Sequence, residues 1–126
     1  MQVHESSEDY LEAILMLKER KGYVRSVDVA NELAFTKASV SVAMKKLREN
    51  GYVQVDTDGG LVLTEAGLAI ARRVYDRHRL LTEFFVRLGV DPEVAARDAC
   101  RVEHYISDET FQALKRHLAE HENKTP

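Results

Sequence analysis

Two groups of side chains in this sequence have the types and the spacing that bind divalent metal ions. Asp9 and Glu12 are three residues apart, so on a helix both carboxylates point the same way, about one turn from each other. Cys100, Glu103 and His104 stand at positions i, i+3 and i+4, which gathers a thiol, a carboxylate and an imidazole on one face of a helix. Together with one further histidine, these donors are enough for one or two divalent ions.

That further histidine, His78, falls on the apolar stripe of a long predicted helix. Taken singly, each candidate has an ordinary structural explanation. Asp9 and Glu12 could simply favour a helix N-terminus, and a histidine on an apolar face, like His78, is more often a core residue. A lone cysteine such as Cys100 is more often a small buried hydrophobe, and Glu103 and His104 could be solvent-exposed. The metal interpretation depends on the combination, and its predicted ligands are Asp9, Glu12, His78, Cys100, Glu103 and His104.

The elements that must position these ligands begin with three predicted helices. Ser6 or Ser7 is predicted to cap the first, Ser26 opens a short second helix, and Thr36 caps a third that ends at Gly51. Two short helices joined by a tight break and preceded by a longer one are the helix-turn-helix layout.

A predicted β-hairpin follows the third helix directly. Residues 52–55 alternate between polar and apolar, Asp58-Gly59-Gly60 is a strong turn signal, and residues 61–63 supply the returning strand. A two-stranded hairpin is marginal alone, so it is expected to pack on the preceding helices as a wing. The sequence therefore predicts a winged helix-turn-helix DNA-binding domain over residues 1–63.

The second half of the chain is predicted to be entirely helical. Thr64 caps a long linking helix over residues 64–88, and Asp91-Pro92 and Ser107-Asp108 start two more helices. Their apolar surface is broad, and three helices are too few to enclose a good core alone. The expected fold class is thus mainly α, a winged helix-turn-helix domain followed by a helical metal-binding and dimerisation domain at residues 89–122 that pairs as a homodimer.

The predicted DNA-facing surface is the third helix, whose outer side carries small hydroxyls and lysines. Serine hydroxyls can donate to bases or phosphates, alanine and valine can touch thymine methyl groups, and lysine and arginine suit phosphates. A solvated helix face is the alternative, which the hairpin that follows makes less favoured. The candidates are Arg25, Thr36, Lys37, Ala38, Ser39, Ser41, Val42, Lys45 and Lys46. Residues 56–60 at the wing tip include no basic residue, so a wing contact to phosphate is not expected.

Composition restricts the protein class. The chain has 126 residues, of which 44% are apolar and 31% charged. It lacks a run of about 18 uncharged apolar residues, and its first eight residues are polar and acidic, so we expect no membrane span, no secretory signal and a cytoplasmic location. A net charge of -3 would ordinarily argue against a nucleic-acid partner.

Five segments of the sequence resemble the DtxR/MntR family of diphtheria-toxin-repressor-like, metal-dependent transcriptional regulators. They are EDYLE (8–12), TKASVS (36–41), GLVLT (60–64), RHRLL (77–81) and DACRVEH (98–104). The resemblance covers nearly the whole chain. Within the family, the chain resembles the short form, which has no SH3-like domain. It implies a dimeric repressor that binds double-stranded operator DNA when Mn(II) or Fe(II) is bound and controls metal uptake, with no enzymatic activity and no organic cofactor.

The resemblance also implies roles for individual residues. Asp9, Glu12, His78, Glu103 and His104 match the ligands of the manganese-responsive branch. Cys100 departs from that branch, which carries glutamate at this position. The iron-responsive branch carries cysteine at this position and methionine at the position of Asp9. Manganese is therefore the first expectation, iron the second, and zinc or cobalt are possible ions in vitro, since thiolate favours softer metals.

The expected mechanism is that metal joins the first helix, the linking helix and the dimerisation domain and fixes the angle between domains. Two recognition helices of a homodimer must lie about 34 Å apart to reach successive major grooves.

Two other functions are open. One is a metal-independent winged-helix regulator that senses a small ligand or an oxidant through Cys100; the other, ranked last, is a small metalloenzyme, for which the sequence offers neither a His-Glu-x-x-His pair nor a nucleophile triad.

Overall fold

The structure, a computed structural model, describes the backbone of residues 5–124 and the side chains of residues 6–120. Within these residues the chain forms six helices and one two-stranded antiparallel sheet, so the mainly helical prediction is confirmed. The elements are α1 (Glu5–Lys21), α2 (Ser26–Leu33), α3 (Lys37–Glu49), β1 (Val53–Val55), β2 (Leu61–Leu63), α4 (Glu65–Arg87), α5 (Pro92–Val102) and α6 (Asp108–Lys124). The chain divides into two compact units, one up to Val74 and one from Tyr75 onward.

In the first unit, α1 supplies the side chains at the centre of the core. Leu11 and Ile14 are fully buried, as the apolar spacing predicts. The described part of α1 begins at Glu5, so the prediction that Ser6 or Ser7 caps this helix is wrong. Both serines lie inside the first turn, where neighbouring residues already have the helical conformation.

The helix-turn-helix consists of α2 and α3, which pack against each other. The turn between them contains Ala34 in the left-handed conformation, with φ of 57°. Thr36 caps α3 as predicted, because its side chain accepts a hydrogen bond from the backbone N–H of Ser39. Val40, Met44 and Leu47 face inward from α3, which leaves the opposite face of this helix to solvent.

The predicted wing is present, with β1 beginning one residue later than expected. Val53 pairs with Leu63 and Val55 pairs with Leu61. The tip closes on itself, because the Asp56 carboxylate accepts hydrogen bonds from the backbone N–H groups of Asp58 and Gly60.

A tyrosine outside the hairpin holds the wing tip in place. The Tyr23 hydroxyl donates a 2.8 Å hydrogen bond to the carbonyl of Asp58, and the N–H of Leu61 donates to the carbonyl of Val24. The Tyr23 ring lies so close to Gly60 that a Cβ at that position would come within 2.5 Å of it. The connection between α1 and α2 therefore fixes the position of the hairpin.

The second unit contains the rest of α4 together with α5 and α6. Asp91 caps α5 through hydrogen bonds to the N–H groups of Glu93 and Val94, with Pro92 at the first helical position as predicted. The buried apolar side chains of this unit are Leu81, Ala95, Ala99, Phe111 and Leu118. None of the helices in the described part of the chain combines the length and the hydropathy that crossing a bilayer requires.

Candidate metal centre and DNA-binding face

The predicted ligands Glu103 and His104 lie at the end of α5 and just beyond it. Glu103 is the C-cap residue, with helical backbone angles and its N–H bonded to the carbonyl of Ala99, and His104 lies in the turn that follows. The expectation that Cys100, Glu103 and His104 share one helix is therefore only partly correct. The helical pattern ends because the N–H groups of Tyr105 and Ile106 both bond to the carbonyl of Val102.

Glu103 is the most deeply buried acidic side chain among the described residues, at 1% exposure. Its Oε2 lies 2.9 Å from Nδ1 of His78 on α4. Its Oε1 accepts no hydrogen bond from any described residue, and Nε2 of His104 lies 3.5 Å from it. The side chain of His104 is itself 2% exposed. The alternative that Glu103 is an ordinary solvent-exposed residue is wrong.

This arrangement fits a divalent cation. A carboxylate has about four acceptor positions, and burying it with one of its two oxygens unbonded is costly. A metal ion is a ligand that would satisfy the remaining oxygen, and carboxylate with imidazole is a donor pair that manganese, iron and zinc accept. The Glu103 bond to Nδ1 of His78 would also orient that imidazole, as carboxylate partners commonly do for histidine ligands.

Cys100 lies on α5 one turn before Glu103 and is exposed. The structural explanation of Cys100 as a small buried hydrophobe is therefore wrong. An exposed thiol one helical turn from a carboxylate is compatible with metal binding and with oxidation.

The two remaining predicted ligands lie in the first unit, on successive turns of α1. Glu12 is buried and Asp9 is half-buried. Burial raises the pKa of the adjacent Tyr10 hydroxyl, and the Asp9 charge raises it further. Acidic side chains are seldom buried, so the burial of Glu12 agrees with a functional role.

One ion pair made by this helix was not predicted from the sequence. Glu8 is buried and forms a 2.6 Å ion pair with Arg73, at the end of α4 that belongs to the first unit. The two residues are far apart in the sequence, so no local pattern points to the pair. The ion pair ties α4 to the helix that carries Asp9 and Glu12.

The predicted DNA-facing residues form an exposed surface. All nine are exposed, and Val42 on α3 is 57% exposed although it is apolar. The Thr36 hydroxyl has a structural use as well, because its oxygen accepts from the Ser39 N–H and its proton is donated to the Ser39 hydroxyl at 2.8 Å. Val42, Ser41 and the lysines are thus the side chains that remain for base and phosphate contacts.

Arg25 lies beside the wing rather than on α3. It is the N-cap residue of α2, and its guanidinium carbon lies 5.4 Å from the centre of the Tyr23 ring, a cation–π contact. Tyr23 also holds the wing tip, so the arginine and the hairpin share one support. Arg25 supplies a positive charge next to a wing tip that is acidic.

A winged helix-turn-helix with an exposed lysine and hydroxyl face, in a chain that also buries a carboxylate against imidazoles, defines the class of metal-responsive DNA-binding transcriptional regulators. Within that class, the chain belongs to the family of iron-dependent repressors. Residues 2–61 match the N-terminal DNA-binding domain of that family, and residues 64–125 match its metal-binding and dimerisation domain. The resemblance to the DtxR/MntR family is therefore confirmed.

Individual relatives agree with this assignment. The chain is 42% identical over 102 residues to the transcriptional regulator MntR of Bacillus subtilis, covering 81% of this chain and 72% of that protein. It is 37% identical over 113 residues to an uncharacterised helix-turn-helix transcriptional regulator of Methanocaldococcus jannaschii, covering 88% and 90%. The solved structure of the manganese regulator SloR matches with a TM-score of 0.80 at 29% identity, covering 94% of this chain and 55% of that one.

The chain thus spans about half the length of the solved regulator that it matches, and most of the length of the curated relatives. The family and these relatives are transcriptional regulators rather than enzymes, which excludes the metalloenzyme alternative.

Proposed function

We propose that this chain is a transcriptional repressor that binds operator DNA as a homodimer when Mn(II), or secondarily Fe(II), is bound, and so controls metal-ion homeostasis in the cytoplasm. The observation that carries the proposal is Glu103. Its carboxylate is buried, bonded to His78 through one oxygen and unbonded at the other. An ionised carboxylate in that position needs a compensating cation, because taking one out of water costs several kcal/mol even after relaxation.

The proposed ligand set is the one that the sequence predicts. In the second unit the support is the geometry of Glu103 with His78 and His104, and for the others it is the sequence resemblance together with the burial of Glu12. The proposed domain limits are also those that the sequence predicts. DNA binding is assigned to residues 1–63, the linking helix to 64–88, and metal binding and dimerisation to 89–122. The ligands are Asp9, Glu12, His78, Cys100, Glu103 and His104.

Manganese is placed first because three of the six proposed ligands are carboxylates, which suit Mn(II) and Fe(II). The sulfur of Cys100 raises affinity for Fe(II), Zn(II) and Co(II), which places iron second. The structural relative SloR is named as a manganese regulator, while the family carries the name of iron. We therefore propose manganese over iron on the count of oxygen donors.

The acidic composition is consistent with a regulator that binds DNA only with metal. The chain carries 21 acidic and 18 basic residues, which weakens its attraction for phosphate. Divalent cations bound to clustered carboxylates would offset that charge. Because coupling between two ligands is reciprocal, DNA is expected to tighten metal binding by the same factor that metal tightens DNA binding.

A homodimer is proposed because the second unit leaves large apolar side chains exposed. They are Val86, Leu88, Val94, Val102 and Tyr105, of which Tyr105 is 76% exposed. Exposed apolar surface of this kind is typical of an association face. Sedimentation equilibrium tests the assembly state, and a monomer at micromolar concentration would exclude a stable dimer.

One observation favours the metal-independent alternative, in which Cys100 senses an oxidant. The thiol is exposed and so is open to peroxide. The variant Cys100→Ser separates the two functions. If the serine variant keeps metal-dependent DNA binding but loses a response to peroxide, the oxidant function is present; if it loses metal affinity without any peroxide response in the parent, Cys100 is a ligand.

The experiment that tests the proposed function is titration of a fluorescent DNA fragment from upstream of the protein's own gene. Fluorescence anisotropy is measured in chelated buffer, then with Mn(II), with Fe(II) under anaerobic conditions and with Zn(II), at one salt concentration. Activation by Mn(II) or Fe(II) supports the proposal and ranks the metals. Equal binding with and without metal would contradict it.

A further inference from the structure

Arg77 is a buried basic side chain of the second unit, and it is neither a predicted metal ligand nor a predicted DNA contact. The residue is 7% exposed and immediately precedes His78 on α4. Burying a guanidinium is costly unless it is paired and hydrogen-bonded, so its surroundings indicate what the charge does.

The guanidinium binds the carbonyl groups that follow α5. Its Nη1 donates hydrogen bonds to the carbonyl oxygens of Ile106, at 2.7 Å, and of Glu103, at 3.3 Å. The last carbonyls of a helix have no partner within the helix, and a cation there also interacts favourably with the helix dipole. Arg77 therefore closes the segment from 103 to 106, which contains His104.

The same guanidinium reaches the start of α6. Its Nη2 lies 3.6 Å from the carboxylate of Asp108, and its carbon lies 5.3 Å from the centre of the Phe111 ring. The planar group thus connects the middle of α4, the end of α5 and the first turn of α6. Lysine has a single ammonium group and cannot reproduce this fork of donors.

Neighbouring residues of α4 hold Glu103 in two places. Arg77 donates to its backbone carbonyl, and His78 contacts its carboxylate at 2.9 Å. We propose that Arg77 is a positioning residue of the metal centre, whose guanidinium sets the place of the two ligands Glu103 and His104 through the backbone that carries them. This inference rests on the proposed function, since it assumes that both side chains bind metal.

The test uses the full chain with Co(II) as the probe, because cobalt is coloured and its absorption bands report the geometry of its ligands. Arg77→Met removes the charge and all donors while keeping most of the volume, and Arg77→Lys keeps the charge and the aliphatic stem. Partners of metal ligands commonly change metal affinity by about 10- to 100-fold when removed, so we expect the Met variant to bind Co(II) at least about tenfold more weakly. The Lys variant is expected to lie between it and the parent, and both are expected to have altered Co(II) bands.

A second readout needs no metal. Amide hydrogen exchange of residues 104–106 in the metal-free protein is expected to be faster in both variants, while exchange in α1 to α3 stays at the parental rate. Arg87→Met is the matched control, because Arg87 is an exposed arginine of the same helix that pairs with the exposed Glu83 at 2.7 Å. Asp108→Asn tests the charge contact alone and is expected to change Co(II) affinity less than Arg77→Lys does.

The outcomes separate this inference from the proposed function. If the parent binds Co(II) and a folded Arg77 variant of either kind binds it with the parental affinity and spectrum, the positioning role is wrong and the proposed function stands. If the Met variant does not fold, the Lys variant decides. If the parent binds no metal and Glu103→Gln does not change that, the proposed function itself fails.

Discussion

Glu103 and His78 face each other across two helices of the second unit, with Oε2 and Nδ1 2.9 Å apart. The contact joins the end of α5 to the middle of α4 and leaves the second carboxylate oxygen without a hydrogen bond among the described residues. Histidine ligands of metals commonly have such a carboxylate partner, which fixes the ring orientation. The consequences of this pair can be tested by changing one atom.

Glu103→Gln replaces the carboxylate with an amide of nearly the same shape. We expect metal-activated DNA binding to fall by at least about tenfold, because the amide is a poor ligand for Mn(II). The metal-free protein is expected to be as stable as the parent or more stable, since a neutral amide costs less to bury than a carboxylate. Anisotropy with and without Mn(II) and thermal unfolding in chelator measure the two effects. Glu83→Gln, at an exposed position of α4, is the control; a Glu103→Gln protein with the parental response to Mn(II) would exclude Glu103 as a ligand.

Lys45→Ala tests the proposed DNA-binding face of α3. Lys45 is exposed, and a lysine that neutralises one phosphate releases about one counterion. The slope of log affinity against log salt concentration is therefore expected to decrease by about 1, with weaker binding to specific and unrelated DNA alike. Lys18→Ala, on the exposed end of α1, should leave the slope unchanged. An unchanged slope for Lys45→Ala would place the phosphate contacts elsewhere.

Gly67→Ala is expected to destabilise the protein, although alanine is the better helix former. Gly67 lies in the first turns of α4, where a Cβ would collide with the backbone carbonyl of Tyr52. Helix propensity alone predicts a gain of about 1 kcal/mol, whereas overpacking against backbone costs about 1–3 kcal/mol. The control Ala69→Gly, on the exposed face of the same helix, should lose about 1 kcal/mol. Urea unfolding decides the sign, and a more stable Gly67→Ala protein would show that the collision is relieved without cost.

Asp28→Asn should reveal a pH-dependent part of the stability of the helix-turn-helix. The backbone N–H of Arg25 and then the Lys21 ammonium hold the pKa of the Asp28 carboxyl below its usual range. The folded carboxyl therefore stays ionised at a pH where the unfolded one is protonated, so its contribution is complete near neutral pH. That contribution is lost as the pH falls through the unfolded pKa of about 4 and then through the lower folded value.

We expect the parent to exceed Asp28→Asn in stability by on the order of 1 kcal/mol or less near neutral pH, since the ion pair is partly exposed. The difference should shrink when unfolding is repeated at about pH 3. A difference that stays constant over this range would show that the hydrogen-bond geometry, not the charge, is what Asp28 contributes.

The elements of the fold that the sequence predicts well are the ones with local signals. Thr36 and Asp91 cap helices through side-chain bonds to residues two or three positions on, and the glycines after Asp58 mark the hairpin. Such signals act within one turn, so they can be read without the rest of the chain. Ser6 and Ser7 mislead for the same reason, because a serine that could cap also fits inside a first turn.

The end of α5 could not be predicted, since nothing in residues 98–106 breaks a helix. His104 leaves the helix because the N–H groups of Tyr105 and Ile106 bond to the carbonyl of Val102. Arg77, 26 positions before Glu103, donates hydrogen bonds to the carbonyls of Glu103 and Ile106. The spacing of residues 100, 103 and 104 predicts candidate metal donors, but it does not predict the burial of Glu103. Arg77 looked like an ordinary charged residue, because only its tertiary partners show that it is inside.

Because hydrogen bonds close the tip of the wing, one residue at the tip can be substituted without opening the hairpin. Since Asp56 and the backbone of Asp58 and Gly60 hold the turn, and Tyr23 anchors it, the exposed Thr57 contributes none of these bonds. A residue there can change without unfolding the support beneath it. A basic side chain at position 57 would add a positive charge to the acidic wing tip without removing any of the bonds that close it, so the charge of the hairpin is adjustable at one position.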